Sequence, residues 1–400
     1  MSRDVYAIAT MDTKGEELAY VRGCLVAAGV SVKMVDVGTQ APPTLKPDVT
    51  RGDVIGRPGF VSEFSDRGEA VAAMSDALVR YLTAEQAAGC MAGVIGIGGS
   101  GGTALITAAM RALPVGLPKL MVSTVASGNT APYVDCSDIT MMYSVVDVAG
   151  LNVVSRTVLA NAAHAMAGMA AHQLLPTETR PALGMTMFGV TTPCVTAVRT
   201  ALEAKGFDAL VFHATGAGGR AMEKLVDSSM IEGVLDITTT EVADEVVGGV
   251  FPSGPARFDA ILARRIPYVV SLGAVDMVNF GAKETVPERF VGRKLHVHNA
   301  QVTLMRTTPG ENRDIARWIA GKLNRAMSPV TVLIPEGGVS MIDAPGQPFH
   351  DPEADAALFD ELESKLQQDG LRRIVRLPQH INDPTFAASL VEEFMQLRET

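Results

Sequence analysis

The hydrophobic pattern alternates between short unbroken aliphatic runs and longer stretches in which apolar residues recur every three or four positions. A short run bounded by glycine reads as a strand buried on both faces, and the longer spacing reads as a helix with one apolar stripe. Val5–Thr10 is the first run. Met11 to Gly15 follow as a loop, and Glu16–Ala28 places Leu18, Val21, Leu25 and Ala28 on one helical face. Ser31–Val37 is the next strand. Thr39–Gly68 has little periodicity and carries Pro42, Pro43, Pro47 and Pro58, so it reads as a long loop. A helix over Arg67–Ala88, a strand over Gly89–Ile97, a glycine turn over Gly98–Gly102 and a helix over Thr103–Leu113 come next. Two further strands, Lys119–Val125 and Ile139–Val145, precede a long Ala- and Met-rich helix over Leu151–Leu175.

The second half repeats the theme. The strands Ala182–Phe188, Ala209–Ala214 and Gly233–Thr238 alternate with a loop over Gly189–Cys194, a helix over Val195–Lys205, the turn Thr215–Gly219 and a helix over Arg220–Ser228. Later strands fall at Tyr268–Ser271, Lys294–His298, Val330–Ile334 and Ile374–Leu377. Helices fall at Arg313–Arg325, Ala354–Gln367 and Pro384–Glu399. Strand–helix alternation implies parallel sheets with right-handed crossovers. The expected fold is α/β, with two Rossmann-like lobes, mostly parallel sheets and a cleft between them. The lobes span 1–178 and 179–400, joined through Pro176–Pro181.

Composition narrows the function class. The chain is 47% hydrophobic but only 5% aromatic, which suits small side chains packed tightly on parallel strands. Its formal charge of −10 argues against a nucleic-acid partner, although a pocket can still be locally positive. The four cysteines, Cys24, Cys90, Cys136 and Cys194, form no C-x-x-C pair and no disulfide framework. No signal peptide and no apolar run long enough for a membrane span is visible, so a cytoplasmic protein with no membrane partner is expected.

The chemistry sits at the glycine turns. Gly96 to Thr103 follows an aliphatic strand and opens a helix, where successive N–H groups and the helix N-terminus converge on an anion. Gly98, Gly99, Gly101 and Gly102 keep side chains out of the way, while Ser100 and Thr103 add hydroxyls, one of them a candidate helix cap. No lysine follows the last glycine, so this is not a Walker A loop. Gly96, Gly98 and Gly101 match G-x-G-x-x-G, but after earlier strands rather than in the first turn, which ranks a nicotinamide cofactor below ATP. Gly218 and Gly219 occupy a second such turn, followed by Arg220 and, further on, Asp236. In the first β-α loop, Lys14 and Thr13 could meet phosphate and Asp12 could hold Mg²⁺. Ser127, Gly128 and Asn129 could complete the same rim.

Elsewhere, His296 and His298 share one strand face, as two metal ligands or an acid–base pair would; hydrogen-bonded core histidines are the plainer reading. Glu241 stands at a strand end and could face the cleft, with Asp244 and Glu245 as solvated helix residues. Arg306, Glu311 and Arg313 form a possible carboxylate-binding cluster. Arg220, His298 and Glu241 are the candidate catalytic residues. No nucleophile elbow, H-E-x-x-H or kinase signature appears.

Ala9–Gly15, Gly98–Thr103, Met142–Asp147, His213–Gly216 and Gly218–Glu223 carry a resemblance, continued by Pro352–Asp355 and Asp383-Pro384. Across the whole chain the sequence resembles the ATP-binding inhibitory domain of the tomato mosaic virus resistance protein and its bacterial relatives, an uncharacterised protein family. The resemblance implies two Rossmann-like lobes, nucleotide phosphate at the N-terminal glycine loop, and homodimers. Three readings remain: an enzyme using ATP and Mg²⁺ on a small carboxylate or sugar-acid metabolite, a nucleotide-responsive binding module, and a nicotinamide oxidoreductase.

Overall fold

The computed structural model describes residues 3–56, 66–172 and 180–399. The chain divides into two compact units, Met1–Thr177 and Glu178–Thr400. Residues 176–179 of the expected link lie outside the described residues.

The first unit holds five parallel strands: β1 (Asp4–Ala9), β2 (Val32–Asp36), β3 (Met91–Gly98), β4 (Lys119–Ser123) and β5 (Thr140–Tyr143), in the order β2-β1-β3-β4-β5. β3 is buried along its whole length. Alternate residues of β1 feed opposite cores: Val5, Ala7 and Ala9 pack with helices Met11–Ala27 and Val153–Ala171, and Tyr6 and Ile8 with helices Arg67–Ala87 and Ser100–Ala112. Layers approach closely where side chains are missing: a Cβ on Gly96 would stand 2.6 Å from Met121 Sδ.

The second unit repeats the order and extends it. β6 (Ala182–Met187), β7 (Asp208–His213), β8 (Gly233–Thr238), β9 (Tyr268–Gly273), β13 (Val330–Pro335) and β14 (Arg372–Leu377) form a parallel sheet ordered β14-β13-β9-β8-β6-β7. A separate antiparallel sheet, β10-β12-β11, is built from β10 (Met277–Phe280), β11 (Leu295–Asn299) and β12 (Val302–Arg306).

Several local expectations change. The loop expected at Asp12–Lys14 is the first turn of helix Met11–Ala27, distorted at Lys14, whose φ of −132° is not helical. The expected loop Thr39–Gly68 contains a short helix, Arg51–Ile55, started by a Thr50–Asp53 capping box; residues 57–65 lie outside the described residues. Helix Ser100–Ala112 begins three residues before the expected Thr103, so Gly101 and Gly102 are its first turn. The expected loop Gly189–Cys194 is a short 3₁₀ turn running into helix Thr192–Ala204. Helix Ala217–Asp227 likewise starts before Arg220.

Candidate functional site

In an open parallel sheet, ligands bind beyond the strand C-termini where the strand order reverses. In the first unit that point lies between β1 and β3, which run side by side from Asp4–Met91 to Ile8–Gly96. A cavity of about 330 Å³ opens there. Thr10, Asp12, Thr13 and Lys14 line one wall, Gly99 to Gly102 the other, and Thr39 and Gln40 the loop side.

The two helix starts at this edge differ. At Met11 the backbone N–H is taken by Asp36, whose Oδ1 accepts it at 3.1 Å and also accepts Gly38 N–H at 2.9 Å. Asp36 is in turn paired with Arg51 Nε at 2.7 Å. The helix at Ser100 has no side-chain cap. The N–H groups of Ser100, Gly101 and Gly102, in its first turn, are out of reach of any helical carbonyl.

Substituent geometry separates the two glycine turns. In the first, a Cβ on Gly101 would meet nothing within 4 Å, one on Gly102 only Ile97 O at 4.0 Å, and one on Gly99 only Thr124 Oγ1 at 3.8 Å. None of the three has a positive φ. An added Cβ at these positions would meet open space rather than packed neighbours, beside the cavity the three residues line. In the second turn, Cβ atoms on Gly218 and Gly219 would lie 1.9 Å from His213 O and 1.7 Å from Glu241 Oε1. Gly216 adopts φ +75° against Pro252 O. Those glycines are consumed by packing, which corrects the expectation that Gly218 and Gly219 present an open phosphate cradle.

Other expected residues are placed as follows. Thr103 is buried; its hydroxyl donates to Gly99 O at 2.8 Å and lies 2.6 Å from Ser123 Oγ, so it braces the turn rather than entering the cavity. The helix cap is Gly99, not Ser100 or Thr103. Gly98 ends β3, and a Cβ there would press on Gly102 Cα at 3.2 Å. Ser127, Gly128 and Asn129 lie in the exposed turn after β4 and do not line the cavity. Asp12 Oδ2 accepts Gln40 N–H at 3.1 Å, tying it to the neighbouring loop. Lys14 Nζ donates to Val148 O. Among the described residues no cluster of three or more His, Cys, Asp or Glu side chains is arranged to hold a metal ion.

The candidate catalytic residues of the second unit lie on separate elements. Glu241 is fully buried, accepts Gly216 N–H at 2.8 Å and pairs with Arg257 Nε at 2.6 Å, contrary to a cleft-facing position. Arg257 is itself enclosed by Glu223 and Asp236 at 2.9 and 2.7 Å. Burial pushes the Glu223 and Glu241 carboxyls up, against the pull of Arg257. Asp236 also accepts Thr186 Oγ1 at 2.6 Å and Tyr268 OH at 2.9 Å, so its oxygens are committed inside the core and do not serve a ribose. Asp244, expected in solvent, is buried and accepts N–H from Phe251 and Asn279, each at 2.8 Å. His298 stands exposed at an irregularity of edge strand β11, and the His296 ring packs 6.2 Å from Phe349; neither is a core histidine hydrogen-bonded in the interior. Arg220 is exposed on helix Ala217–Asp227.

Arg306, Glu311 and Arg313 do not converge. Arg306 is buried against Asp355 at 2.6 Å and Asp343 at 3.2 Å, whereas Glu311 pairs with Arg293 at 2.7 Å. Asp276, fully buried, accepts Ser340 Oγ at 2.8 Å, and its Oδ1 has no partner among the described residues. Burial, and then the Asp276 charge, push Asp343 up to about 9; burial raises Asp276 to about 7.

Sequence reasoning missed Thr10 and Gln40 in the cavity wall and the Asp36–Arg51 pair behind it. An acid closing β2 was the available signal for that pair. The buried Arg257 and Arg306 networks had no local signal, because their partners come from distant segments.

Comparison with known proteins agrees with this two-unit division. The N-terminal domain of the Uncharacterised protein family (UPF0261) matches residues 3–174, and its C-terminal domain matches residues 180–398. The UPF0261 protein RA0729 of Rhizobium meliloti is 55% identical over 397 residues, covering 98% of each chain. A UPF0261 protein of Clostridium tetani is 46% identical over 407 residues, covering 100% of each. The ToMV resistance protein Tm-1(GCR237) of Solanum lycopersicum is 48% identical over 418 residues; the match takes in 98% of this chain but 55% of the tomato protein. Among the described residues no helix is long and apolar enough to cross a membrane. With both of its domains matched almost end to end, this chain belongs to the Uncharacterised protein family (UPF0261).

Proposed function

We propose that the N-terminal unit binds the polyphosphate of a nucleotide, ATP with Mg²⁺, at the β1/β3 end of its sheet. One observation carries the reading: Gly99, Gly101 and Gly102 border a cavity in which the fold itself would tolerate side chains, beside an uncapped helix start. Absent side chains and free N–H groups are what a phosphate needs to reach the main chain. Ser100 adds a hydroxyl on that wall, and Lys14 a positive charge on the wall opposite. Asp12 would hold Mg²⁺ with phosphate oxygens completing the shell, since Mg²⁺ commonly takes one or two carboxylates and keeps several waters.

In this reading the nucleotide serves an enzyme acting on a small carboxylate or sugar-acid metabolite. ADP release in the presence of candidate acids separates that enzyme from a binding module without turnover. The nicotinamide alternative loses the acidic residue that follows its second glycine turn, because Asp236 in β8 is committed to Arg257, Thr186 and Tyr268. Calorimetric titration with ATP–Mg²⁺, tripolyphosphate–Mg²⁺ and NAD tests the assignment. ATP and tripolyphosphate should both bind, and NAD should bind more weakly. Absence of binding by both ATP and tripolyphosphate overturns it.

A further inference from the structure

A second cavity, of about 380 Å³, adjoins the phosphate cavity and shares Gln40 with it. Its walls differ in kind. Ala41, Pro42, Pro43 and Pro47 supply flat apolar surface, and Asp36 and Arg51 supply the polar side. We infer that this cavity holds the nucleoside end of the nucleotide, with the base against the prolines and the ribose toward Arg51. The inference rests on the phosphate assignment above and extends it to the rest of the ligand.

Three observations support the placement. The cavities are contiguous through Gln40, so one molecule can run from the Gly99–Gly102 cradle across the end of β1 toward β2. In related parallel-sheet sites an acid closing the second strand takes the ribose hydroxyls. Here that acid is Asp36, but its oxygens already accept Met11 N–H, Gly38 N–H and Arg51 Nε. Arg51 Nη2, by contrast, is buried without a hydrogen-bond partner among the described residues. Arg51 also lines this cavity, so the charged side chain left at the sugar end is a cation with N–H donors rather than a carboxylate. Gly38 keeps this corner tight: a Cβ there would stand 2.5 Å from Arg51 Nη2 and 2.8 Å from the Asp12 carboxyl carbon. One small residue thus lies between the Asp12 carboxylate and the Arg51 guanidinium.

Ala41→Trp tests the inference, since Ala41 is exposed and its enlargement fills the apolar cavity while leaving the glycine cradle untouched. Calorimetry would compare ATP–Mg²⁺ with tripolyphosphate–Mg²⁺ on wild type and variant. Wild type should bind ATP more tightly than tripolyphosphate. Ala41→Trp should lose about tenfold or more in ATP affinity with tripolyphosphate affinity unchanged, the latter also showing that the variant is folded. Equal ATP affinity in both proteins, or parallel loss of both ligands, overturns the nucleoside assignment alone. Wild type binding neither ligand overturns the phosphate reading and this inference with it.

Discussion

Gly101→Ala separates folding from ligand binding at a single methyl group. Gly101 lies in the first turn of helix Ser100–Ala112, and the added Cβ meets no atom within 4 Å. Alanine restricts the unfolded chain and suits a helix, so the variant should gain about 0.4–1 kcal/mol in stability. In a unit of this size that corresponds to roughly 1–4 °C in Tm. The same methyl group occupies the space through which a phosphate oxygen would reach the N–H groups of the turn. Loss of one hydrogen bond to a charged oxygen costs about 1.5–3 kcal/mol. ATP affinity should then fall by roughly tenfold to a hundredfold. Scanning calorimetry and titration on one preparation read both effects. A variant that melts higher and binds ATP as tightly as wild type would remove the phosphate from the glycine cradle and refute the reasoning. A variant that melts several degrees lower would show that the glycine serves the fold after all.

Gly219→Ala should do the opposite in the second unit: its Cβ would fall 1.7 Å from Glu241 Oε1, so urea unfolding should show a loss of roughly 3 kcal/mol or more. Arg257→Met leaves Glu223, Asp236 and Glu241 buried without their cation and should cost roughly 3–5 kcal/mol in the same assay; a cost near zero would contradict the network. Asp343, raised by burial to about 9, keeps its proton in the folded state where an unfolded aspartate has released it above about pH 4. Its contribution is therefore complete below about pH 4 and is lost as pH rises toward 9, and Asp343→Asn should flatten that decline in urea melts at about pH 5, 7 and 9. The chain should be a homodimer, with Val145 and Val153 exposed on the first unit at 56% and 80%; light scattering at the mass of one chain would exclude this.

The alternation of strands and helices was legible because parallel strands buried on both faces leave unbroken aliphatic runs, as in Met91–Gly98. Of the antiparallel sheet only β11 was legible, as the expected strand Lys294–His298; Met277–Phe280 and Val302–Arg306 are short, and their pairing joins segments that β11 separates in the chain. Helix starts were misread at Ser100 and Ala217 because glycine signals a turn in sequence, while an uncapped first turn accepts it equally well. The two glycine turns looked alike for the same reason. What separates them is the distance from each missing Cβ to Glu241, His213 or empty space, and that depends on tertiary packing. Arg257 sits in a Pro- and Gly-rich stretch resembling a surface loop; its burial follows from Glu223, Asp236 and Glu241 arriving from three different elements.

The strand order also bears on how the chain is made. β1 pairs with β2 on one side and, through Asp4 and Met91, with β3 on the other, so its pairing stays incomplete until β3 has been synthesised. Such non-local pairing is slow, and β1 meanwhile exposes an unpaired aliphatic edge. The strand and helix that complete the first unit end at Ala171, and a ribosome adding 5–20 residues per second then needs roughly 10–45 s for Glu178 to Thr400. The first sheet can therefore close during that interval, before the aliphatic strands of the second have all emerged to compete for its edges. A protein built from two sheets of the same strand order gains protection against cross-pairing from the sequence in which its halves leave the ribosome.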